Sequence, residues 1–203
     1  YRRQRQMCIR DSQGPDEVRR GPGGGAGLRE GTDAVKNKRV IFLNGPMGAG
    51  KTTVGRLIQR SLAGCAFIDG DWCMDLEPFV GNSETRALAA DNILHMLAGY
   101  NNCSHCRGVV VAWLMDRPEI CRALEEGAAK IGLETAWFTL LCTEEALGAR
   151  WRGDKLCPWR TEENLKVSVR SLEAFSRLPG VPVDTSGMTA EQVRDHILKH
   201  LSD

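Results

Sequence analysis

No stretch of this chain approaches the ~18 consecutive apolar residues that a helical membrane span requires. No charged-then-apolar leader of the secretory kind is visible either. Membrane partners are therefore not expected, and a cytoplasmic location is the default expectation. Basic charge is also scarce outside the front segment. Residues 1–39 hold ten Lys/Arg against five Asp/Glu, whereas the rest holds 17 against 21, within a net charge of +1. A globular part with that balance has no broad cationic footprint, so nucleic acid is not an expected partner. The eight cysteines form no paired framework, and a chain of 203 residues can build a core without such staples. Cys103-Ser104-His105-Cys106 has metal-like spacing but no second pair, so it reads as a surface turn with two reduced thiols. His95 and His105 likewise lack matching partners.

What is present is ordinary globular material, with 42 % hydrophobic and 26 % charged residues. The length fits roughly one domain of the usual 100–200 residues, as a monomer or homodimer. Residues 1–38 are rich in Arg, Gly and Gln, contain GPGGGAG, and show no sustained apolar period. The string MCIRDS resembles translated sequencing-adapter sequence, so 1–38 is expected to be a disordered, partly non-native leader. The folded domain is expected over 39–203.

From Arg39 the pattern becomes regular. Val40-Ile41-Phe42-Leu43 is a continuous apolar run, as in a strand buried on both faces of a parallel sheet. A glycine-rich turn follows, then a helix from Lys51 with Val54, Leu57, Ile58 and Leu62 on one face, ended by Gly64. Cys65 to Ile68 forms a second strand running into Asp69-Gly70-Asp71. A helix carrying Leu88, Ile93, Leu94 and Leu97 precedes a polar turn at Asn101-Asn102. Val109 to Leu114 is a third strand, and Pro118 starts the next helix. Ala136 to Leu141 is a fourth strand, after which Thr143 caps a helix with Glu144 and Glu145 in its first turn. An irregular basic stretch runs from Arg150 to Arg160, and a long helix from about Thr161 to Ser176. Val181 to Val183 is a last strand, and Thr189 with Gln192 boxes the start of the closing helix. Strand and helix alternate about five times, which implies an α/β domain with a parallel sheet covered on both faces. Ligands of such sheets bind at the carboxyl ends of the strands.

Gly45-Pro46-Met47-Gly48-Ala49-Gly50-Lys51-Thr52 fits G-x-x-x-x-G-K-[ST], between a buried strand and an amphipathic helix. Its glycines let the backbone wrap phosphate oxygens, and the helix behind, including Thr53, presents its positive end to the same anion. Lys51 is expected on the β- and γ-phosphates of ATP, and the Thr52 hydroxyl on Mg²⁺. Asp69 and Asp71 leave the second strand two residues apart, on one side. One carboxylate can support Mg²⁺, and the other can accept the proton of an attacking hydroxyl. The loop that follows, with Trp72, Met74, Asp75, Pro78 and Phe79, reads either as acceptor lining or as a plug beneath the next helix. Arg150 and Arg152, with Arg160 beyond them, are placed to act as a lid that neutralises charge on the transferring group. Arg170 on the long helix is a candidate acceptor contact. Asp184 and Ser186, in the turn after the last strand, are candidates for the adenine or ribose. Asp116 follows the third strand too late to serve as its acid.

GPMGAGKTT, FIDGD, the arginine-bearing stretch 150–160 and VDTSGMTAEQV together resemble the shikimate kinase, gluconate kinase and nucleoside monophosphate kinase group of P-loop phosphotransferases, over about residues 39–202. Chains of this type are also named AAA-family ATPases. The resemblance implies a three-layer α/β/α fold with a five-stranded parallel sheet in the order 2-3-1-4-5 and a short lid. It also implies Thr52 and Asp69 near Mg²⁺, Asp71 near a small-molecule acceptor, and transfer of the γ-phosphate of ATP to it. Ala112-Trp113-Leu114-Met115 replaces the glycine-rich turn that shikimate kinases carry after the third strand, which weighs against shikimate itself. The competing class is a nucleotide-binding ATPase or regulator without transfer activity. A GTPase is disfavoured because no NKxD follows the fourth strand.

Overall fold

The computed structural model describes residues 38–154, 157 and 160–202. The expectation for the leader falls outside that range, apart from Lys38. The elements run β1 (Arg39–Asn44), α1 (Lys51–Ser61), β2 (Cys65–Asp69), a 3₁₀ turn (Gly70–Met74), α2 (Ser83–Asn102), β3 (Gly108–Ala112), α3 (Pro118–Lys130), β4 (Glu134–Leu141), α4 (Glu144–Gly153), α5 (Glu162–Ser176), β5 (Val181–Asp184) and α6 (Ala190–His200). All five strands are parallel, in the order β2-β3-β1-β4-β5. Sheet order and layer class are as the family resemblance implies.

β1 is central, and its alternation supplies both cores. Val40 and Phe42 point to one face, where they meet Val109 and Val111 of β3 and the buried stripe of α2 and α3. Phe42 stacks on Trp137, with ring centroids 4.1 Å apart. Ile41 and Leu43 point to the other face, toward Ile58 of α1 and Val193 and Ile197 of α6. Deleting a fully buried side chain such as Ile58 would typically cost about 2–5 kcal/mol.

Several boundaries differ from expectation for physical reasons. Leu62 is exposed because α1 stops at Ser61 and Leu62 turns extended as its C-cap. Asn101 and Asn102 lie inside the last turn of α2, where Asn101 Nδ2 donates to the Ile131 carbonyl. Lys38 Nζ donates to the carbonyls of Tyr100, Asn101 and Cys103, which satisfies that helix end. β3 stops at Ala112; Trp113 is buried beyond the ladder rather than in it. Arg150 and Arg152 belong to the last turn of α4, not to irregular chain. The Thr143 cap, the Pro118 start and the Thr189–Gln192 capping box form as expected. Among the described residues no helix is long and apolar enough to cross a membrane, and no group of three metal-ligating side chains gathers around Cys103 and Cys106.

Candidate active site

β1 ends at Asn44, and the loop from Gly45 to Gly50 carries the chain into α1. Gly45 has φ +138°, and a Cβ there would stand 2.5 Å from the Leu140 carbonyl oxygen, so only glycine fits this turn. The loop is braced from the side. Gly48 lies against the Trp151 ring of α4, and Ser168 Oγ of α5 donates to the Met47 carbonyl at 2.7 Å. Trp151 is itself held by its indole N–H on the Thr161 carbonyl. At the start of the loop, fully buried Asn44 receives N–H bonds from Gly45 and Met115 on Oδ1 and donates Nδ2 to the Met115 carbonyl, at 2.8, 2.9 and 2.9 Å. Nothing local in the sequence marks Asn44, because its partner is 71 residues away.

Lys51 Nζ donates to the Gly45 and Pro46 carbonyls at 2.8 and 2.9 Å. Burial pushes its ammonium down to about 8, against attraction from Asp71 and Asp69. A cation poorly hydrated at the mouth of a glycine loop is primed for an anion. The helix end adds to this: no atom lies within 4 Å of where a Gly50 Cβ would stand, which leaves the approach to the α1 amides open. Thr52 and Thr53 follow on the first turn, both exposed.

Thr52 Oγ donates to Asp69 Oδ2 at 3.3 Å, and Asp69 Oδ1 accepts the Asp71 amide at 3.2 Å. This Asx-type bond caps the start of the 3₁₀ turn that carries Asp71. Burial, then repulsion from Asp71, raises the Asp69 carboxyl to about 6. Burial raises Asp71 as well, with Lys51 opposing. Two carboxylates, one hydroxyl and one buried ammonium thus converge at the carboxyl ends of β1 and β2.

On the other side of the loop a cleft of about 270 Å³ is lined by Gly48, Gly50, Arg150, Arg160, Thr185 and Met188, among others. Arg150 reaches it but is tied down there: Nη1 donates to Thr185 Oγ at 2.9 Å and Nη2 to the Thr185 carbonyl. Thr185 in turn donates to the Leu141 carbonyl. Arg152 does not reach the cleft; it faces solvent and pairs with Glu162 at 3.0 Å. Arg160 does, bonding Asp154 at 2.9 Å beside the Trp151 ring, and its charge is felt by Lys51. Asp184 accepts from Ser186 N and Oγ, and Ser186 Oγ accepts the Thr143 amide, so this pair shapes the turn while Thr185 between them lines the cleft. Asp116 is paired with Arg86 of α2, and Arg170 is exposed on α5. A larger hollow of about 530 Å³, with Arg39 and Glu134 paired at its wall, opens at the amino ends of the strands, away from all of these groups.

The family model described as an AAA domain matches residues 41–169. The shikimate kinase of Methylococcus capsulatus is 65 % identical over 37 residues, which is 18 % of this chain and about a fifth (20 %) of that protein's length. The shikimate kinase of Actinobacillus pleuropneumoniae serotype 5b is 46 % identical over 187 residues, covering 81 % of this chain and 96 % of that protein. Among solved structures, a gluconokinase from Sinorhizobium meliloti 1021 aligns over 82 % of this chain and 91 % of its own, with TM-score 0.61 and 23 % identity, a likeness of fold. The family model covers more than half of the sequence, and the long Actinobacillus match agrees with it. The chain belongs to the AAA-domain family, in its group of P-loop small-molecule kinases.

Proposed function

We infer that this chain is an ATP-dependent phosphotransferase that moves the γ-phosphate of Mg-ATP to a hydroxyl or phosphate group of a small molecule. The observation that carries the reading is the desolvated Lys51 ammonium, set in a braced glycine loop and facing Asp69 and Asp71. A partly buried ammonium with a lowered pKa, held in a glycine loop at a helix start, fits an anion site. The Actinobacillus shikimate kinase, matched over nearly its whole length, supports the same reaction class.

The loop amides and Lys51 bind the phosphates, while Arg150 and Thr185 wall the cleft in which the nucleoside can lie. Thr52 Oγ and Asp69 Oδ2 are adjacent hard oxygen donors and would hold Mg²⁺, which would supply neutralisation of phosphate charge. Asp71, at the rim, accepts the proton of an acceptor hydroxyl as its oxygen bonds to the γ-phosphorus and the bond to the bridging oxygen breaks, releasing ADP. Arg160 is better placed than Arg152 to offset charge on the transferring group, since Arg152 is turned away. The described cysteines are all unpaired, which fits a reducing compartment such as the cytoplasm.

Coupled detection of ADP tests the reading: release should rise severalfold over the acceptor-free rate when a suitable acceptor is added. ATP binding without turnover across a broad acceptor panel would support the regulator instead.

A further inference from the structure

Six of the large hydrophobic side chains exposed among the described residues fall within one 25-residue stretch: Trp72, Leu76, Phe79, Val80, Leu88 and Met96. Contacts between the loop after β2 and α2 bring them together. The loop after β2 lies along α2: Thr85 Oγ donates to the Val80 carbonyl at 2.7 Å, Asn92 Nδ2 to the Cys73 carbonyl at 2.8 Å, and Cys73 Sγ approaches Met96 Sδ at 4.0 Å. Leu88, Asn92 and Met96 are four residues apart and share one helix face, so Leu88 flanks the same loop. Trp113 is the buried floor. A Cβ on Gly70 would stand 2.1 Å from its Cγ, so the backbone must cross this ring closely, and Asp71 and Trp72 are carried over it. Phe79 is 61 % and Trp72 48 % exposed.

An apolar surface that begins at the residue after the base carboxylate is the wall beside which an acceptor must lie. Its charge narrows the occupant. From Asp69 to Met96 there are six Asp/Glu and one Lys/Arg, Arg86. That guanidinium is bound by Asp116, so it is already neutralised by the protein. Burying the carboxylate or phosphate of an acceptor here would place like charges together without a cation of this segment to offset them.

We propose that Trp72, Leu76, Phe79 and Val80, with the Leu88–Met96 face of α2, form the acceptor platform, and that the acceptor is a hydroxyl compound with an apolar body and no anionic group. The inference rests on the phosphotransferase reading and narrows it, dropping phosphate acceptors and sugar acids. Trp72 and Phe79 stack on the acceptor body and Asp71 takes its hydroxyl proton.

The test is ADP release with the full chain against a matched panel: phenyl β-glucoside and uridine as uncharged acceptors with an apolar or aromatic face, shikimate and gluconate as anionic ones, with Mg-ATP binding followed separately by calorimetry. The expected result is transfer to an uncharged member. Its KM should rise about tenfold or more in Trp72→Ala and Phe79→Ala, the loss expected when an aromatic contact is removed. Leu62→Ala, an exposed hydrophobe at the opposite end of α1, should leave that KM within about twofold. Preferential transfer to shikimate or gluconate would overturn the platform while leaving the kinase reading intact. So would transfer to no uncharged member while Mg-ATP still binds, or an unchanged KM in both aromatic variants.

Discussion

Replacing Lys51 by methionine should make the nucleotide-free protein slightly more stable while abolishing its stabilisation by ATP. The ordinary lysine value of 10.5 falls to about 8 here, and burial is the first cause, outweighing attraction to Asp71 and Asp69. That gap corresponds to about 3 kcal/mol of folding free energy spent on holding the charged form in the loop. Methionine keeps the length without the charge. Against the gain stand two hydrogen bonds, to the Gly45 and Pro46 carbonyls, worth about 1 kcal/mol each. The net is a gain of about 1 kcal/mol, or a Tm increase of about 2–4 °C for a domain this size. The sign fixes the pH window. The folded-state value lies below the unfolded one, so between about 8 and 10.5 the unfolded chain holds more protons and wild-type stability climbs with pH. The advantage of the variant is therefore full below about pH 8 and disappears as pH approaches 10.5. Calorimetric scans at pH 7 and 9.5, with and without Mg-ATP, measure all of this. A variant several degrees less stable at pH 7 would show that Lys51 is a staple of the loop, and the primed-cation account would fail.

Phosphoryl transfer should rise with pH across the range where Asp69 ionises, because its carboxyl is raised to about 6 and only the charged form offers a strong metal donor. Excess Mg²⁺ should move that limb to lower pH, and a pH–rate profile insensitive to magnesium would remove Asp69 from the metal site. Asn44→Leu strips the buried clamp between Gly45 and Met115 of all three hydrogen bonds and should raise KM for ATP about tenfold or more; an unchanged KM would make the clamp incidental to nucleotide binding. Arg160→Gln should cut kcat about tenfold to a thousandfold, whereas solvent-facing Arg152→Gln should stay within about twofold. The reverse ranking in steady-state kinetics would exchange their roles.

The parallel sheet and the phosphate loop were legible because each depends on short-range pattern, whereas the strand order came only from the family resemblance. A four-residue apolar run, a glycine motif and an amphipathic helix follow one another within Val40 to Ser61; three of the five helix starts singled out carry a capping threonine, and a fourth begins with Pro118. What the sequence concealed was long-range or directional. Asn44 looks like a strand end until Met115 is seen beside it. Gly70 reads as turn chemistry, although its requirement comes from the Trp113 ring packed beneath it. Thr185 was passed over for its neighbours Asp184 and Ser186, since only the fold shows which of three polar residues faces the cleft. Arg150, Arg152 and Arg160 form one basic stretch on paper, but α4 continues to Gly153 and sends the first two in different directions. Leu88 stands in one apolar pattern with Ile93 and Leu97, yet it is exposed on α2 while those two are buried.

The most direct measurement follows the γ-phosphorus of ATP. With γ-labelled ATP, Mg²⁺ and an uncharged hydroxyl acceptor, the label should leave as a stable organic phosphate, in one-to-one amount with ADP, and Asp71→Asn should suppress it far more than nucleotide binding. Label found only as inorganic phosphate, or retained in ATP that binds and never turns over, would contradict the account.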